Sequence, residues 1–182
     1  MIVVGCKRDL IMEDYPDVAY AYNELYDQTN TSKSLLKALR LCDDSGVLWL
    51  NGDVVFDERI LLRIQDRIDA EQSFVCVNTA AVGEEEVKYT VDGTGFIDQL
   101  SKTVPDALGE AVGINFVSAA DKPVLIEALA AVADNDYFER GIEVAIAESG
   151  MQVEPVDISD LFAVEVDFED DLERANRIGA GG

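Results

Sequence analysis

The sequence predicts an α/β fold with a mostly parallel sheet, and three observations lead to this prediction. Val47–Leu50 is a continuous apolar run, the pattern of a strand covered on both faces. Apolar residues then recur at helical spacing from Ile60 to Ile68. A second apolar run follows at 73–78, so strand, helix and strand alternate as they do in parallel α/β sheets.

The residues before Val47 predict the same alternation. Ile2–Cys6 and Val18–Tyr22 predict two short strands, because β-branched and aromatic residues are frequent in them. Side chains that can cap a helix occupy positions 29–32 and precede leucines at helical spacing. A helix is therefore expected to run to about Cys42, followed by a turn at 43–46.

The second half of the chain predicts an inserted β-hairpin and then further helices and strands. Val87–Val91 and Phe96–Leu100 flank Asp92 and Gly93, a pair typical of a tight hairpin turn. Strands are predicted at 110–118, 153–158 and 162–166, and helices at 118–133, 137–148 and 168–178. We find no repeat and no long linker, so residues 1–178 are predicted to form one domain and residues 179–182 a frayed tail.

Acidic charge is the main feature of the composition. The chain has 37 Asp and Glu against 14 Lys and Arg, no histidine, and a net charge of −23. This balance disfavours nucleic acid and anionic membranes as partners. The lack of histidine excludes Ser-His-Asp and Cys-His catalysis within the chain. The acidic residues are dispersed and lysine is scarce, which favours a halophilic origin over a merely acidic mesophilic protein.

The cysteines and the apolar segments indicate a cytoplasmic protein. Cys6, Cys42 and Cys76 are odd in number and far apart, which predicts reduced thiols. No apolar run approaches the ~20 residues of a membrane span. The apolar start Met1–Gly5 is followed almost at once by charged residues, so it does not resemble a signal peptide. Self-association into a homo-oligomer stays open.

Two aspartates directly follow predicted strands. Asp53 comes after Leu50 and Gly52, and Asp167 follows the strand at 162–166. Open α/β sheets bind ligands at the carboxyl ends of their strands, and Mg²⁺ takes one or two carboxylates together with phosphate oxygens. The alternative is that Asp53 is a turn residue and Asp167 an N-cap. The residues alone leave both interpretations open.

Several short motifs occur in a fixed order, and together with the first strand and a stretch with Asn23, Thr29-Asn30 and Ser34-Leu35 they span roughly residues 3 to 175. They are Leu50-Asn51-Gly52-Asp53, Ser101-Lys102, Gly109-Glu110 with Gly113-Ile114, Tyr137-Phe138-Glu139, and Glu165-Val166-Asp167 with Asp171-Leu172-Glu173-Arg174-Ala175. Together they resemble the nucleotidyltransferase family that includes bacterial-type choline-phosphate cytidylyltransferases and sugar-phosphate nucleotidylyltransferases. The resemblance implies a Rossmann-like sheet of the nucleotide-diphospho-sugar transferase type, with helices on both faces and an inserted hairpin.

The resemblance also implies roles for individual residues. Asp53 and Asp167 match the aspartates that hold catalytic Mg²⁺ in the family, and Gly52 would allow close approach of the nucleotide. Lys102 matches a lysine near the acceptor or its phosphate, although an exposed hairpin charge is an equal alternative. Acceptor-pocket positions fall on Asn30, Glu110 and Glu139, for which a capping asparagine and two solvated glutamates are the alternatives.

The implied reaction is transfer of NMP from an NTP to a small phosphorylated or phosphonylated acceptor, with release of pyrophosphate. Choline phosphate, aminoethylphosphonate and sugar 1-phosphates are such acceptors. In the family, a glycine-rich phosphate loop precedes the strand that matches Ile2–Cys6, and these 182 residues do not contain it. We therefore expect the chain as given to be N-terminally truncated and inactive, and the alternative function is a non-catalytic binding or assembly module. A metal-dependent glycosyltransferase is disfavoured, because Asp53-Val54-Val55 lacks the second aspartate of Asp-x-Asp.

Overall fold

The structure is a computed structural model that describes residues 1–80, 82–83, 86–166 and 168–179. The chain divides into two compact units, Met1–Val47 with Ala119–Met151 and Leu48–Ser118 with Gln152–Gly182. In chain order, the elements of the described residues are β1 (Ile2–Val4), α1 (Arg8–Asp14), β2 (Tyr20–Tyr22), α2 (Thr31–Leu41), β3 (Val47–Leu50), β4 (Val54–Phe56), α3 (Arg59–Asp69), β5 (Phe74–Asn78), β6 (Lys88–Val91), β7 (Ile97–Ser101), β8 (Gly109–Val117), α4 (Lys122–Ala131), α5 (Phe138–Ser149), β9 (Glu154–Asp157), β10 (Ala163–Glu165) and α6 (Glu169–Gly179).

The first unit packs three helices together beside a small parallel sheet. β1 and β2 pair in parallel, with Val3 opposite Ala21. The helices α2, α4 and α5 contact one another. Lys33 on α2 joins two of them, because its Nζ donates hydrogen bonds to the carbonyl oxygens of Leu129 (2.9 Å) and Val132 (2.6 Å) at the end of α4. A lysine in this position satisfies carbonyls that the helix itself leaves unpaired and favours its negative end.

The second unit is built on a six-stranded sheet. Its strands follow the order β7-β6-β8-β5-β9, and β3 also pairs with β8. β5 and β9 are parallel, whereas β8 runs antiparallel to both β5 and β6. Three strands, β9, β5 and β6, therefore share one direction. A separate antiparallel pair joins β4 and β10.

One face of this sheet carries the main hydrophobic core of the second unit. Ile60 and Ile64 of α3 are fully buried against it, which explains the helical spacing of apolar residues in that segment. Phe74 on β5 and Phe116 on β8 stack with their ring centroids 5.6 Å apart. Complete burial of such side chains contributes about 1.5–3 kcal/mol each to stability.

The structure confirms the predicted α/β fold class and the inserted hairpin, but it corrects the hairpin turn. Val91 pairs with Ile97, so the loop spans 92–96 and is wider than the predicted turn at Asp92 and Gly93. Asp92 organises this loop, because its Oδ1 accepts hydrogen bonds from the backbone N–H groups of Thr94 (2.7 Å) and Phe96 (3.2 Å). Gly95, not Gly93, has the positive φ, at 93°.

Two short elements were not predicted from the sequence. α1 has only seven residues, and its apolar side chains are the consecutive Leu10, Ile11 and Met12, so its sequence lacks the spacing by which a helix is recognised. β4 has only three residues and lies between Asp53 and α3, so the sequence there is too short to show a strand pattern.

The last residue of α6 is Gly179, and the rest of the predicted tail lies outside the described residues. No helix in the described part of the chain is long and apolar enough to cross a membrane.

Candidate functional site

The turn Asn51–Asp53, which follows β3, is attached to two different strands. The backbone N–H of Asn51 donates to the carbonyl oxygen of Gly113 on β8, at 2.9 Å. The backbone N–H of Val166, just after β10, donates to the carbonyl oxygen of Asp53, also at 2.9 Å. The position immediately before Asp167 is thus hydrogen-bonded to Asp53.

A side-chain hydrogen bond reinforces this attachment. Glu165, the last residue of β10, pairs with Val54 in the antiparallel β4–β10 ladder. The Nδ2 of Asn51 donates to the Oε1 of Glu165 at 2.9 Å, and both residues are half-buried. Since the two residues are separated by 114 positions, this bond joins parts of the chain that are distant in sequence.

Gly113, which lies on β8 against the turn, and Gly52, which lies in the turn, differ in the space around them. Gly113 has a φ of 71°, and a Cβ at this position would lie only 2.8 Å from Nδ2 of Asn51. Gly113 is therefore needed both for its backbone conformation and for the close approach of Asn51. A Cβ on Gly52 would have no atom within 4 Å, so nothing in the described structure requires glycine there.

The carboxylate of Asp53 is available to a ligand. Asp53 is exposed, and among the described residues no hydrogen bond or ion pair involves its carboxylate oxygens. Asp57 and Asp160 differ, because each is bound by an arginine. The Arg59 guanidinium donates to Asp57 and lowers the pKa of that carboxyl to about 2, and Arg63 lowers the pKa of Asp160 to about 2 in the same way.

The base of the hairpin lies next to this turn along β8. The backbone N–H of Ala111 donates to the carbonyl oxygen of Val87 at 2.8 Å, two positions before Gly113. Lys88 pairs with Ser101, and its Nζ donates to the carbonyl oxygen of Lys102 at 3.2 Å. Lys102 itself is exposed. The register therefore places Lys102 just after the end of β7, beside Lys88 at the start of β6.

Glu110 lies near the start of β8. It pairs with Asn78 on one side and with Lys88 on the other. Its side chain is half-buried, and its Oε2 accepts a hydrogen bond from the backbone N–H of Gly83 at 2.8 Å. One carboxylate oxygen of Glu110 thus holds the segment that precedes the hairpin.

Asn30 and Glu139 belong to the first unit, where they lie near each other. Asn30 is the N-cap of α2: its Oδ1 accepts from the N–H of Thr31 at 2.8 Å, and its Nδ2 donates to the carbonyl oxygen of Asn135 at 3.3 Å. The Oγ1 of Thr31 accepts from the N–H of Phe138, the residue before Glu139, at 3.1 Å. Glu139 is buried, with 7% of its surface exposed. The capping role of Asn30 is thus observed, and acceptor binding by either residue stays a prediction.

Of the two predicted metal ligands, Asp167 lies outside the described residues, so its predicted role stays a prediction. In the part of the chain that the structure describes, no group of three or more Asp, Glu or Cys side chains is arranged to hold a metal ion.

The sequence pattern alone indicates no individual role for Asn51, Glu165 or the backbone of Gly113. An isolated glycine within the apolar strand 109–117 was the one available signal for a close approach at that position.

Solved structures of nucleotidyltransferases share this fold. The inositol-1-phosphate CTP transferase from T. maritima has a TM-score of 0.76 and 16% sequence identity, over 98% of this chain and 76% of that one. The CTP:phosphocholine cytidylyltransferase from Streptococcus pneumoniae has a TM-score of 0.66 and 15% identity, over 97% of this chain and 77% of that one. A nucleoside-diphosphate-sugar pyrophosphorylase from Vibrio cholerae RC9 has a TM-score of 0.65 and 11% identity, over 96% and 79%.

These similarities confirm the predicted fold of the nucleotide-diphospho-sugar transferase type. The sequence matches no protein-family model and no curated protein.

Proposed function

We propose that the protein is a Mg²⁺-dependent nucleotidyltransferase that transfers NMP from an NTP to a small phosphorylated or phosphonylated acceptor. The observation that carries this proposal is the Asn51–Asp53 turn. It presents an exposed carboxylate that has no partner among the described residues, and the hydrogen bond from Val166 to Asp53 ties it to the strand end that precedes Asp167. The shared fold with solved nucleotidyltransferases supports the same assignment.

The residues at the turn suit magnesium in their chemistry. Mg²⁺ is a hard cation that is usually bound by one or two carboxylates, while water and substrate phosphate oxygens complete its coordination. The chain has no histidine, and the carboxylate oxygens of Asp53 accept no hydrogen bond from any described residue. We propose Asp53 and Asp167 as the protein ligands. A bound Mg²⁺ would neutralise phosphate charge and orient the reacting groups.

The proposed reaction requires no covalent enzyme intermediate. An oxygen of the acceptor phosphate attacks the α-phosphorus of the NTP, the bond from that phosphorus to the oxygen bridging to the β-phosphate breaks, and pyrophosphate leaves. The chain's own residues would then act by positioning. Gly52 leaves open space in which the nucleotide can approach the turn, and Lys102 offers a cation to the acceptor phosphate. Acceptor contacts from Asn30, Glu110 and Glu139 belong to the same proposal.

Pyrophosphate release tests this function. The protein expressed from the full reading frame that contains this chain is assayed with each of the four NTPs. Each NTP is combined with choline phosphate, aminoethylphosphonate or a sugar 1-phosphate. We expect release with one NTP and one acceptor class, and its loss on addition of EDTA.

The 182-residue chain serves as the comparison in this assay. We expect it to release none, because it contains no glycine-rich loop whose backbone N–H groups would hold the triphosphate. Folded full-frame protein that releases no pyrophosphate with any combination would contradict the function and favour the non-catalytic binding module. Robust release by the 182-residue chain would show that other residues hold the phosphates.

A further inference from the structure

We infer that the hydrogen bond between Asn51 and Glu165 is a positioning device that sets the affinity of the Asp53 turn for a divalent cation. The inference rests on the proposed function, since it concerns the proposed metal ligand. Neither residue is a proposed ligand or touches the reacting atoms. Both are proposed to act through the backbone that carries Asp53.

The connectivity of the turn supports this inference. Asp53 lies in a three-residue turn that connects β3 to β4. Short exposed turns sample several conformations unless side chains restrain them. Backbone bonds hold the turn at Gly113 on one side and at Val166 on the other. The Asn51–Glu165 hydrogen bond adds a side-chain attachment to these two backbone bonds, because it joins the first residue of the turn to the last residue of β10.

The chemistry of the pair also favours a positioning role. An amide N–H that donates to a carboxylate is a charge-assisted hydrogen bond, which is directional and stronger than a neutral one. Both side chains are half-buried, so water competes less for this bond than for a surface pair. Gly113 leaves the space that the Asn51 side chain fills, since any Cβ there would lie within 3.0 Å of three Asn51 atoms.

Manganese binding to the 182-residue chain tests the inference without relying on turnover. Electron paramagnetic resonance gives the Mn²⁺ affinity of Asn51→Ala, Glu165→Ala and the double variant. We expect each single variant to bind about tenfold more weakly, and the double variant to bind no more weakly than Glu165→Ala, because both lack the bond between Asn51 and Glu165. Hydrogen exchange of the Val166 amide should accelerate in all three.

Conservative and control variants separate positioning from charge and from general stability. Glu165→Gln keeps an acceptor oxygen for Asn51 but removes the charge, so we expect its affinity to stay within about threefold of wild type. A loss in Glu165→Gln as large as in Glu165→Ala would overturn the inference in favour of a purely electrostatic effect. Gln65→Ala removes a similar amide–carboxylate bond, that to Asp69 on α3, and should leave Mn²⁺ affinity unchanged.

Two outcomes distinguish the inference from the function on which it rests. Wild-type affinity in Asn51→Ala and Glu165→Ala, with thermal unfolding showing both variants folded, would overturn the inference and leave the proposed function intact. Lack of Mn²⁺ binding by the wild-type chain, together with lack of pyrophosphate release by the full-frame protein, would overturn both.

Discussion

Replacing Asp53 by Asn is expected to lower the turnover of the full-frame protein at least ~100-fold, because it removes a proposed ligand of the cation that stabilises the transition state. The melting temperature should change little, since the Asp53 carboxylate is exposed and has no partner among the described residues. The carbonyl oxygen that accepts the hydrogen bond from Val166 belongs to the backbone and remains. Steady-state pyrophosphate release and thermal unfolding measure the two effects.

Two further variants make the result specific to this site. Asp167→Asn should lower turnover to a similar extent, because the two aspartates are proposed to share one cation. Asp66→Asn removes an exposed aspartate on α3 of the same unit, and its turnover should match wild type. Near-normal rates in both Asp53→Asn and Asp167→Asn would show that the shared cation site is wrong.

Replacing Gly113 by Ala is expected to lower the free energy of unfolding by about 2–5 kcal/mol. Part of this cost is the left-handed backbone conformation, at a φ of 71°, which costs an L-residue about 1–2 kcal/mol. The rest is steric, because the new Cβ would lie 2.8 Å from Nδ2 of Asn51, and overpacking costs about 1–3 kcal/mol. Urea unfolding measures the sum.

Gly150→Ala is a matched control for the backbone contribution. Gly150 has a φ of 68°, close to that of Gly113, but its Cβ would meet no atom within 4 Å. We expect its cost to be limited to about 1–2 kcal/mol. Equal destabilisation by the two variants would show that Asn51 does not crowd Gly113 as the structure indicates.

The sequence predicted most of the regular elements because their signals are local. Apolar runs identified β3 and β5, and helical spacing of apolar residues identified α3. The capping side chain of Asn30 marked the start of α2, and the structure shows its Oδ1 accepting from the N–H of Thr31. The ordered motifs between residues 50 and 175 led to the fold of the nucleotide-diphospho-sugar transferase type, which the solved structures confirm.

The hydrogen bonds that hold the Asp53 turn could not be predicted from the sequence, because they join residues that are distant along the chain. The antiparallel direction of β8 follows from its pairing with β5 and β6, which its own apolar pattern does not encode. The bond between Asn51 and Glu165 spans 114 positions. The requirement for glycine at position 113 depends on its positive φ and on its contact with Asn51, and both are properties of the folded chain.

Paramagnetic broadening by Mn²⁺ tests the central claim most directly, namely that the Asp53 turn and the end of β10 form one cation site. Substoichiometric Mn²⁺ is added to the isotopically labelled 182-residue chain, and the loss of amide signals is followed by NMR. The account predicts that the amides of Gly52, Asp53 and Val166 broaden first and together, and that Asp53→Asn abolishes this selectivity. Equal broadening over the acidic surface, or first broadening at another acidic segment such as Asp43 and Asp44, would contradict it.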